Sequence, residues 1–290
     1  MDYNFDIKNK SIVICSIIKD EEKNLKKYFS TIGSITKYFK KHFVILIESD
    51  SKDNTLKIAK KLISKYNGVV IETNTDHLKF RTEKISFCRN KYLNYIQKNK
   101  NLHNFDFLIV ADVDQVNSNI NFKKIENSIS SAPKDWIGIF ANQKFIYYDV
   151  WPLRINNYIE NDCYQDFIKL SETNSTSKAY YLAVFKKFFL IKKFKDRFIK
   201  VKSAFGGFGI YRLKEILNIE YDSNSGIFSE HVLFNKKISK KEKNKSLYID
   251  KKLINFSGLN EHILKGIIYS LSNYFSKKLL EKFININEKN

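Results

Sequence analysis

Apolar positions in the first hundred residues follow two alternating patterns. Short β-branched runs at 11–18 (SIVICSII), 42–48 (HFVILIE), 68–74 (GVVIETN) and 105–112 (FDFLIVAD) predict buried strands. Between them, residues 21–40, 55–66 and 83–97 carry apolar side chains three and four apart, as at Leu25, Tyr28, Phe29, Ile32 and Ile35. That spacing predicts helices with one buried face. Strands and helices alternating at these lengths predict βαβ units, and so a parallel sheet covered on both faces. The second half is less regular. Residues 136–155 contain strand-like stretches, 157–170 read as a helix, and 202–212 as a strand interrupted by glycines. A short helix is expected over 229–238, a strand over 246–250, and an amphipathic, cationic helix over 261–283. With no linker-like stretch and no repeat, the expectation is one α/β domain over 1–290, in three parts: 1–115, 116–260 and 261–290.

Composition narrows this picture. Of 290 residues, 43% are hydrophobic and 15% aromatic, enough for a sizeable core and incompatible with disorder over most of the chain. Average usage would give roughly 20 Gly and 15 Pro at this length; the chain has 9 and 2, which disfavours a barrel or sandwich of many short strands. Cys15, Cys88 and Cys163 are far apart and form no CxxC pair, so neither a disulfide framework nor a zinc site is expected. The N-terminus lacks a signal-peptide layout, and no apolar run approaches the ~20 residues that span a bilayer. A soluble, cytoplasmic protein is expected.

The charge adds a question. With 51 Lys+Arg against 31 Asp+Glu the chain carries +20, concentrated at 182–202 (net +7) and 236–252 (net +6). Phe185, Phe188, Phe189, Phe194 and Phe198 interleave the first segment. No nucleic-acid-binding motif accompanies the charge, so nucleic acid is the least favoured partner. An anionic membrane surface, contacted peripherally from its inner face, fits cations mixed with aromatics; a solvated face is the plain alternative.

Against that basic background, the predicted strand ends are acidic: KDEE (19–22), ESDSKDNT (48–55), TNTD (73–76) and ADVDQ (111–115). Ligands of open α/β sheets bind outside these ends. Helix capping accounts for Asp53, ahead of Thr55. It is not expected to account for Asp112 and Asp114, which follow what reads as the longest buried strand with no helix directly after. Alternation along an extended backbone points both carboxylates the same way, giving a hard-oxygen site suited to Mg²⁺ or Mn²⁺. Arg81, Lys84 and Arg89, on or beside the third helix, and Glu48 and Asp50, at the second strand end, are the further charged candidates near these ends. Gly206, Gly207 and Gly209 interrupt an aromatic segment, which marks a bulge or a close backbone approach to a ligand.

Taken in order, KDEEKNL (19–25), ESDSKDNT (48–55), Arg89-Asn90 and ADVD (111–114) resemble the nucleotide-sugar glycosyltransferases of the A fold (GT-A), family 2 most broadly. The likeness extends to the fungal capsule-associated α-1,3-mannosyltransferases, family 69. It rests on Glu48-Ser49 with Ser51, Asp53 and Thr55, then Arg81 with Arg89-Asn90, Asp112-Val113, and Tyr148-Asp149-Val150-Trp151 with Arg154. That family's Trp-rich segment is replaced here by AFGGFGIYR (204–212).

The resemblance implies a single Rossmann-like GT-A domain, α/β with a mostly parallel sheet. Residues 1–115 would bind the nucleotide, 116–260 the donor sugar and acceptor. It implies a metal-dependent hexosyltransferase, with GDP-mannose the first donor to try and UDP-sugars next, acting on a surface glycan or a lipid-linked acceptor. Asp112, Asp114 and His262 would hold Mn²⁺ or Mg²⁺. Lys19, Glu48, Asp50, Arg81, Lys84 and Arg89 would bind the nucleotide. Tyr148, Asp149, Trp151, Arg154, Gly206, Gly207 and His231 would line the sugar and acceptor pocket, with His231 an alternative to His262. Glu230, opening a helix after the glycine segment, would take the acceptor's proton in an inverting reaction. Two rivals are weaker. A sugar-nucleotide nucleotidyltransferase needs a glycine-rich phosphate loop after the first strand, which IIKDEEKN lacks. A non-catalytic membrane- or nucleic-acid-binding module fits the charge but not the acidic strand ends.

Overall fold

The computed structural model describes residues 6–222, 228–256 and Leu264. The first half alternates as the apolar pattern predicts: β1 (Ser11–Ile18), α1 (Glu22–Thr36), β2 (Lys41–Ser49), α2 (Thr55–Ile63), β3 (Gly68–Thr73), α3 (Arg81–Lys98) and β4 (Phe107–Ala111). Next come α4 (Phe122–Ser130), β5 (Trp136–Gln143), α5 (Cys163–Ser171), α6 (Thr176–Ala183), β6 (Phe198–Val201), β7 (Phe208–Arg212), α7 (Leu213–Ile216), α8 (Glu230–Lys241) and β8 (Ser246–Phe256).

The eight strands among the described residues join one sheet in the order β3-β2-β1-β4-β7-β5-β8-β6. β1 pairs in parallel with β2 and β4, and β2 with β3. β7 lies antiparallel between β4 and β5, β8 runs parallel to β5, and β6 closes the edge antiparallel. Six strands therefore point one way, and strand order reverses between β1 and β4, where such sheets open their crevice.

Side-chain alternation builds two cores. Val13, Cys15, Ile45, Ile47, Leu108 and Val110 face Cys88, Tyr92, Leu93 and Ile96 of α3. Ile12, Ile14, Val44, Leu46 and Ile109 face Leu25, Phe29 and Ile32 of α1 and Ile125 and Ile129 of α4. A strand buried on both faces needs an unbroken apolar run, which is why β1 and β4 were readable as strands. The result is the expected class: mixed α/β, one mostly parallel sheet, helices on both faces.

Several expectations change. The run at 105–112 yields a five-residue strand, β4, shorter than the eight-residue β1, so it is not the longest. Residues 144–155 form no further strand beyond isolated bridges, Arg154 with Ser203 and Ile155 with Ile159. The helix expected over 157–170 starts at Cys163, where the Asp162 carboxylate accepts the Tyr164 and Gln165 N–H groups. The predicted strand over 202–212 begins only at Phe208, after a turn. α4, α6 and a 3-10 helix over Phe185–Lys193 were not expected, although α4 spaces Phe122, Ile125 and Ile129 at helical intervals. Apart from Leu264, the helix expected over 261–283 lies outside the described residues, as does His262. Among the described residues no helix is long and apolar enough to cross a membrane.

Candidate active site

The site is organised by the joint between β4 and β7. The Asp112 N–H donates to the Gly207 carbonyl at 2.9 Å, extending the antiparallel ladder one step past the end of β4. Gly206 and Gly207 sit at φ +68° and +80°. A Cβ on Gly206 would lie 2.7 Å from the Ala141 carbonyl, and one on Gly207 2.7 Å from Val116 Cγ1, so both left-handed conformation and close approach demand glycine. Buried side chains hold this turn from several segments. Asp149 Oδ2 accepts the Gly206 N–H at 2.7 Å. Asn255 Nδ2 and Gln143 Nε2 donate to the Gly206 carbonyl at 2.6 and 3.1 Å. Asn117 Nδ2 donates to the carbonyls of both Asp112 and Gly207 at 2.9 Å. Sequence reasoning missed Asn117, Gln143 and Asn255. Their only signal is a polar amide at or beside the end of an apolar stretch.

The two aspartates differ. Asp112 is 39% exposed at its side chain, and its Oδ1 lies 3.8 Å from Arg89 Nη2. Desolvation of this partly enclosed carboxyl raises its pKa, with Arg89 opposing and Asp114, Asp149 and Glu230 adding negative charge. Asp114 is exposed and does cap: its Oδ1 accepts the Val116 N–H at 3.3 Å, starting the 3-10 turn Gln115–Asn117. The expectation that neither aspartate caps is therefore corrected for Asp114.

Arg89 stands at the centre rather than on a solvated helix face. It is 4% exposed, between the rings of Phe205 and Tyr221 at 5.1 and 5.6 Å, and its Nε meets Glu230 Oε1 at 3.2 Å. It neutralises buried carboxylates instead of offering an exposed charge to a phosphate. Glu230 opens α8 and is 6% exposed. His231 is buried, stacked on Phe205 at 3.9 Å, with Nε2 3.5 Å from Glu230 Oε1. Burial, then Arg89, hold its pKa well below the usual imidazole value, so the ring is neutral.

A second group gathers at the ends of β1 and β2. Asp50, at φ +56°, accepts the Thr75 N–H at 3.0 Å and the Thr75 hydroxyl. The Thr75 hydroxyl chiefly lowers its pKa, with Lys19 and Lys84 contributing from nearby. Glu48 is buried, and its Oε1 accepts the Ser51 N–H at 2.9 Å. The other acidic residues here lace the loops together. Asp20 accepts from the Lys52 N–H and Glu22 from the Asn54 N–H, both at 2.7 Å, and Asp53 accepts the Thr55 N–H at 2.9 Å.

On the remaining side, Tyr148 and Asp149 sit among the acidic residues, and Trp151 meets Tyr164 edge-on at 5.6 Å. Arg81 is exposed at the start of α3, within electrostatic reach of Tyr164. Arg154 does not join the pocket. It is 5% exposed, with Nη2 on Asp162 at 2.8 Å and Nη1 on the carbonyls of Trp151 and Leu153. Its role is to tie down the segment that precedes α5.

Burial pushes the Asp149 carboxyl up to about 7. The folded state therefore keeps a proton that the unfolded chain releases near pH 4, so this group's contribution to stability falls as pH rises from about 4 through 7. Wild type should lose on the order of 2 kcal/mol between pH 5 and 8 that Asp149→Asn does not lose. Urea unfolding at both pH values measures this, and parallel losses in the two proteins would remove the assignment.

Among the described residues no three His, Cys, Asp or Glu side chains come close enough to hold a metal ion by themselves. Asp112 and Asp114 suit instead an ion shared with phosphate oxygens: two hard carboxylates suffice when the ligand supplies the remaining oxygens. The like-charge crowding at Asp112 is what a divalent cation would relieve.

No protein-family model and no curated protein matches the sequence. Solved structures do match. The mannosyltransferase PcManGT from Pyrobaculum calidifontis, in complex with GDP-Man and Mn²⁺, aligns with a TM-score of 0.51 at 8% identity, over 92% of this chain and 64% of that one. S. aureus TarS aligns with a TM-score of 0.50 at 13% identity, over 91% of this chain and 39% of that one. The chain thus spans less than two thirds of these neighbours. The likeness establishes the fold, that of GT-A glycosyltransferases.

Proposed function

We propose that the chain is a nucleotide-sugar glycosyltransferase whose nucleotide lies over β1–β3 and whose transfer chemistry occurs between the Asp112–Asp114 strand end and the Gly206–Gly207 turn. One observation carries this reading: the Asp112–Asp114 pair follows the strand beside the crevice of a sheet with this order, and the Asp112 backbone N–H is hydrogen-bonded directly to the glycine turn. The resemblance of the motifs, in sequence order, supports it independently.

In this reading residues 1–115 form the nucleotide half and 116–260 the donor-sugar and acceptor half. Lys19, Asp50 and Lys84 face the nucleoside and its phosphates. Mg²⁺ or Mn²⁺, held by Asp112 and Asp114 with the diphosphate, would neutralise the leaving group's charge as the glycosidic bond breaks. The donor sugar would lie beside the Gly206–Gly207 turn. Tyr148 and Trp151 form the wall where an acceptor would enter.

Glu230 remains the residue to accept the acceptor's proton. Arg89 Nε fixes its Oε1 at 3.2 Å, and its Oε2 accepts from the Ser229 hydroxyl at 3.5 Å. Glu230→Gln should lower turnover at least about 100-fold, the scale of general acid–base catalysis, with nucleotide affinity nearly unchanged. Steady-state rates alongside nucleotide titrations check this; loss of affinity with intact turnover would assign Glu230 to the donor instead.

GDP-mannose is the first donor to test, because the family 69 likeness and the GDP-Man complex of PcManGT agree on it. Incubating the protein with Mn²⁺ and a panel of GDP- and UDP-sugars, and detecting released nucleoside diphosphate by mass spectrometry, tests the reading. Release from one donor supports it; no release from any donor, with or without glycan and lipid-linked acceptors, counts against it.

A further inference from the structure

The transfer site leaves unused an unusual surface on α5, α6 and the Phe185–Lys193 helix. Large apolar side chains exposed among the described residues are few, yet five of them fall between residues 158 and 189: Tyr158, Tyr164, Ile168, Tyr181 and Phe189. Ile168 is 65% exposed and Tyr181 40%, where packing inward is the ordinary fate of such side chains. Phe185 joins Tyr181 and Phe189 into one aromatic cluster, with ring centroids 6.2 and 5.4 Å from its own.

This cluster is set among exposed cations. Lys178, Lys186, Lys192, Lys193 and Lys195 are all exposed along the same stretch. Asp166, the nearest acidic residue on α5, is already paired with Lys187 at 2.8 Å. Exposed rings and an aliphatic side chain interspersed with lysines match the headgroup region of an anionic bilayer. Aromatic side chains settle at that interface, and each lysine near an anionic surface is attracted to it. A nucleic acid would use the charge but has no need of a protruding isoleucine. A second protein would favour a flatter apolar patch with fewer lysines, which interface cores exclude.

We infer that the α5–α6 surface with the Phe185–Lys193 helix docks the chain peripherally onto a bilayer rich in anionic lipid. The docking stands independently of the transferase reading. Trp151, which packs on Tyr164 of α5, places the proposed acceptor wall next to the docked surface, the side from which a lipid-linked acceptor would arrive.

The test is sedimentation of the full chain with sucrose-loaded vesicles of phosphatidylcholine containing one quarter phosphatidylglycerol, against phosphatidylcholine alone. Wild type should partition onto the anionic vesicles, weakly onto neutral ones, and less at 0.5 M salt than at 0.1 M. Lys186→Gln with Lys193→Gln should weaken partitioning at least about tenfold, since each basic residue contributes roughly a factor of five. Tyr181→Ser with Phe189→Ser should weaken it several-fold with the salt dependence retained. All four positions are exposed, and unfolding curves confirm that each double variant remains folded. Any of three results overturns the inference: no partitioning of wild type, equal partitioning onto neutral vesicles, or undiminished partitioning in both double variants. Tight binding to heparin or DNA without vesicle binding would likewise overturn it, in favour of a soluble polyanion.

Discussion

Asp114→Asn should reduce glycosyl transfer by at least about 1000-fold while leaving the unfolding midpoint nearly unchanged. Removing one source of stabilisation for developing charge costs roughly 100- to 1000-fold, and this substitution also removes half of the protein's proposed share of the metal site. The choice of asparagine matters because of the cap. Asp114 Oδ1 accepts the Val116 N–H, a bond that the amide oxygen of asparagine retains. Alanine would remove charge and cap together, and the cap alone is worth about 1 kcal/mol. Steady-state rates in saturating Mn²⁺, paired with thermal unfolding, separate the two effects. Full activity of Asp114→Asn in excess Mn²⁺ would sink the metal assignment.

The second large effect is on stability. Arg89→Met should destabilise the fold by about 3–5 kcal/mol, because it strands the buried Glu230 without its partner. Methionine fills much of the same volume, so the loss reports charge rather than a cavity. Combining it with Glu230→Gln should recover part of the loss, since removing both partners of a buried pair costs less than removing one. Urea unfolding of the two single variants and the double variant measures the coupling. Strictly additive losses would mean that Arg89 and Glu230 do not act as a pair. The same logic distinguishes Arg154, whose buried partner Asp162 lies outside the acidic group, so loss of that pair should affect stability without involving the transfer residues.

How much of this was legible in the sequence depends on what each residue must satisfy. The β1–β4 half was readable because strands buried on both faces need continuous β-branched runs, and α1 repeats its apolar residues at helical spacing. Apart from α5, the segment from 144 to 207 was not, because it is held by side chains rather than by periodicity. Arg154 bonds Asp162 and two carbonyls, and Asp149, Gln143 and Asn255 hold Gly206. No local pattern announces such long-range bonds. At the site, the aspartate pair and the double glycine stood out because they contradict their surroundings, acidic in a basic chain and small in an aromatic run. Arg89 was visible only as a basic residue on a helix. Its burial follows from Glu230, 141 positions away in the chain, and a cation's partner at that distance leaves no local trace.

The central claim is that a nucleoside diphosphate and a divalent ion bind together at Asp112 and Asp114. Thermal unfolding with UDP or GDP, in Mn²⁺ and in chelator, tests it most directly. A ligand at 100 times its Kd stabilises the folded state by about 2.7 kcal/mol, which shifts the midpoint of a chain this long by several degrees. The account predicts that shift for at least one of the two nucleotides in Mn²⁺, its loss in chelator, and its loss in Asp114→Asn. An equal shift in chelator, or one undiminished in Asp114→Asn, would contradict it.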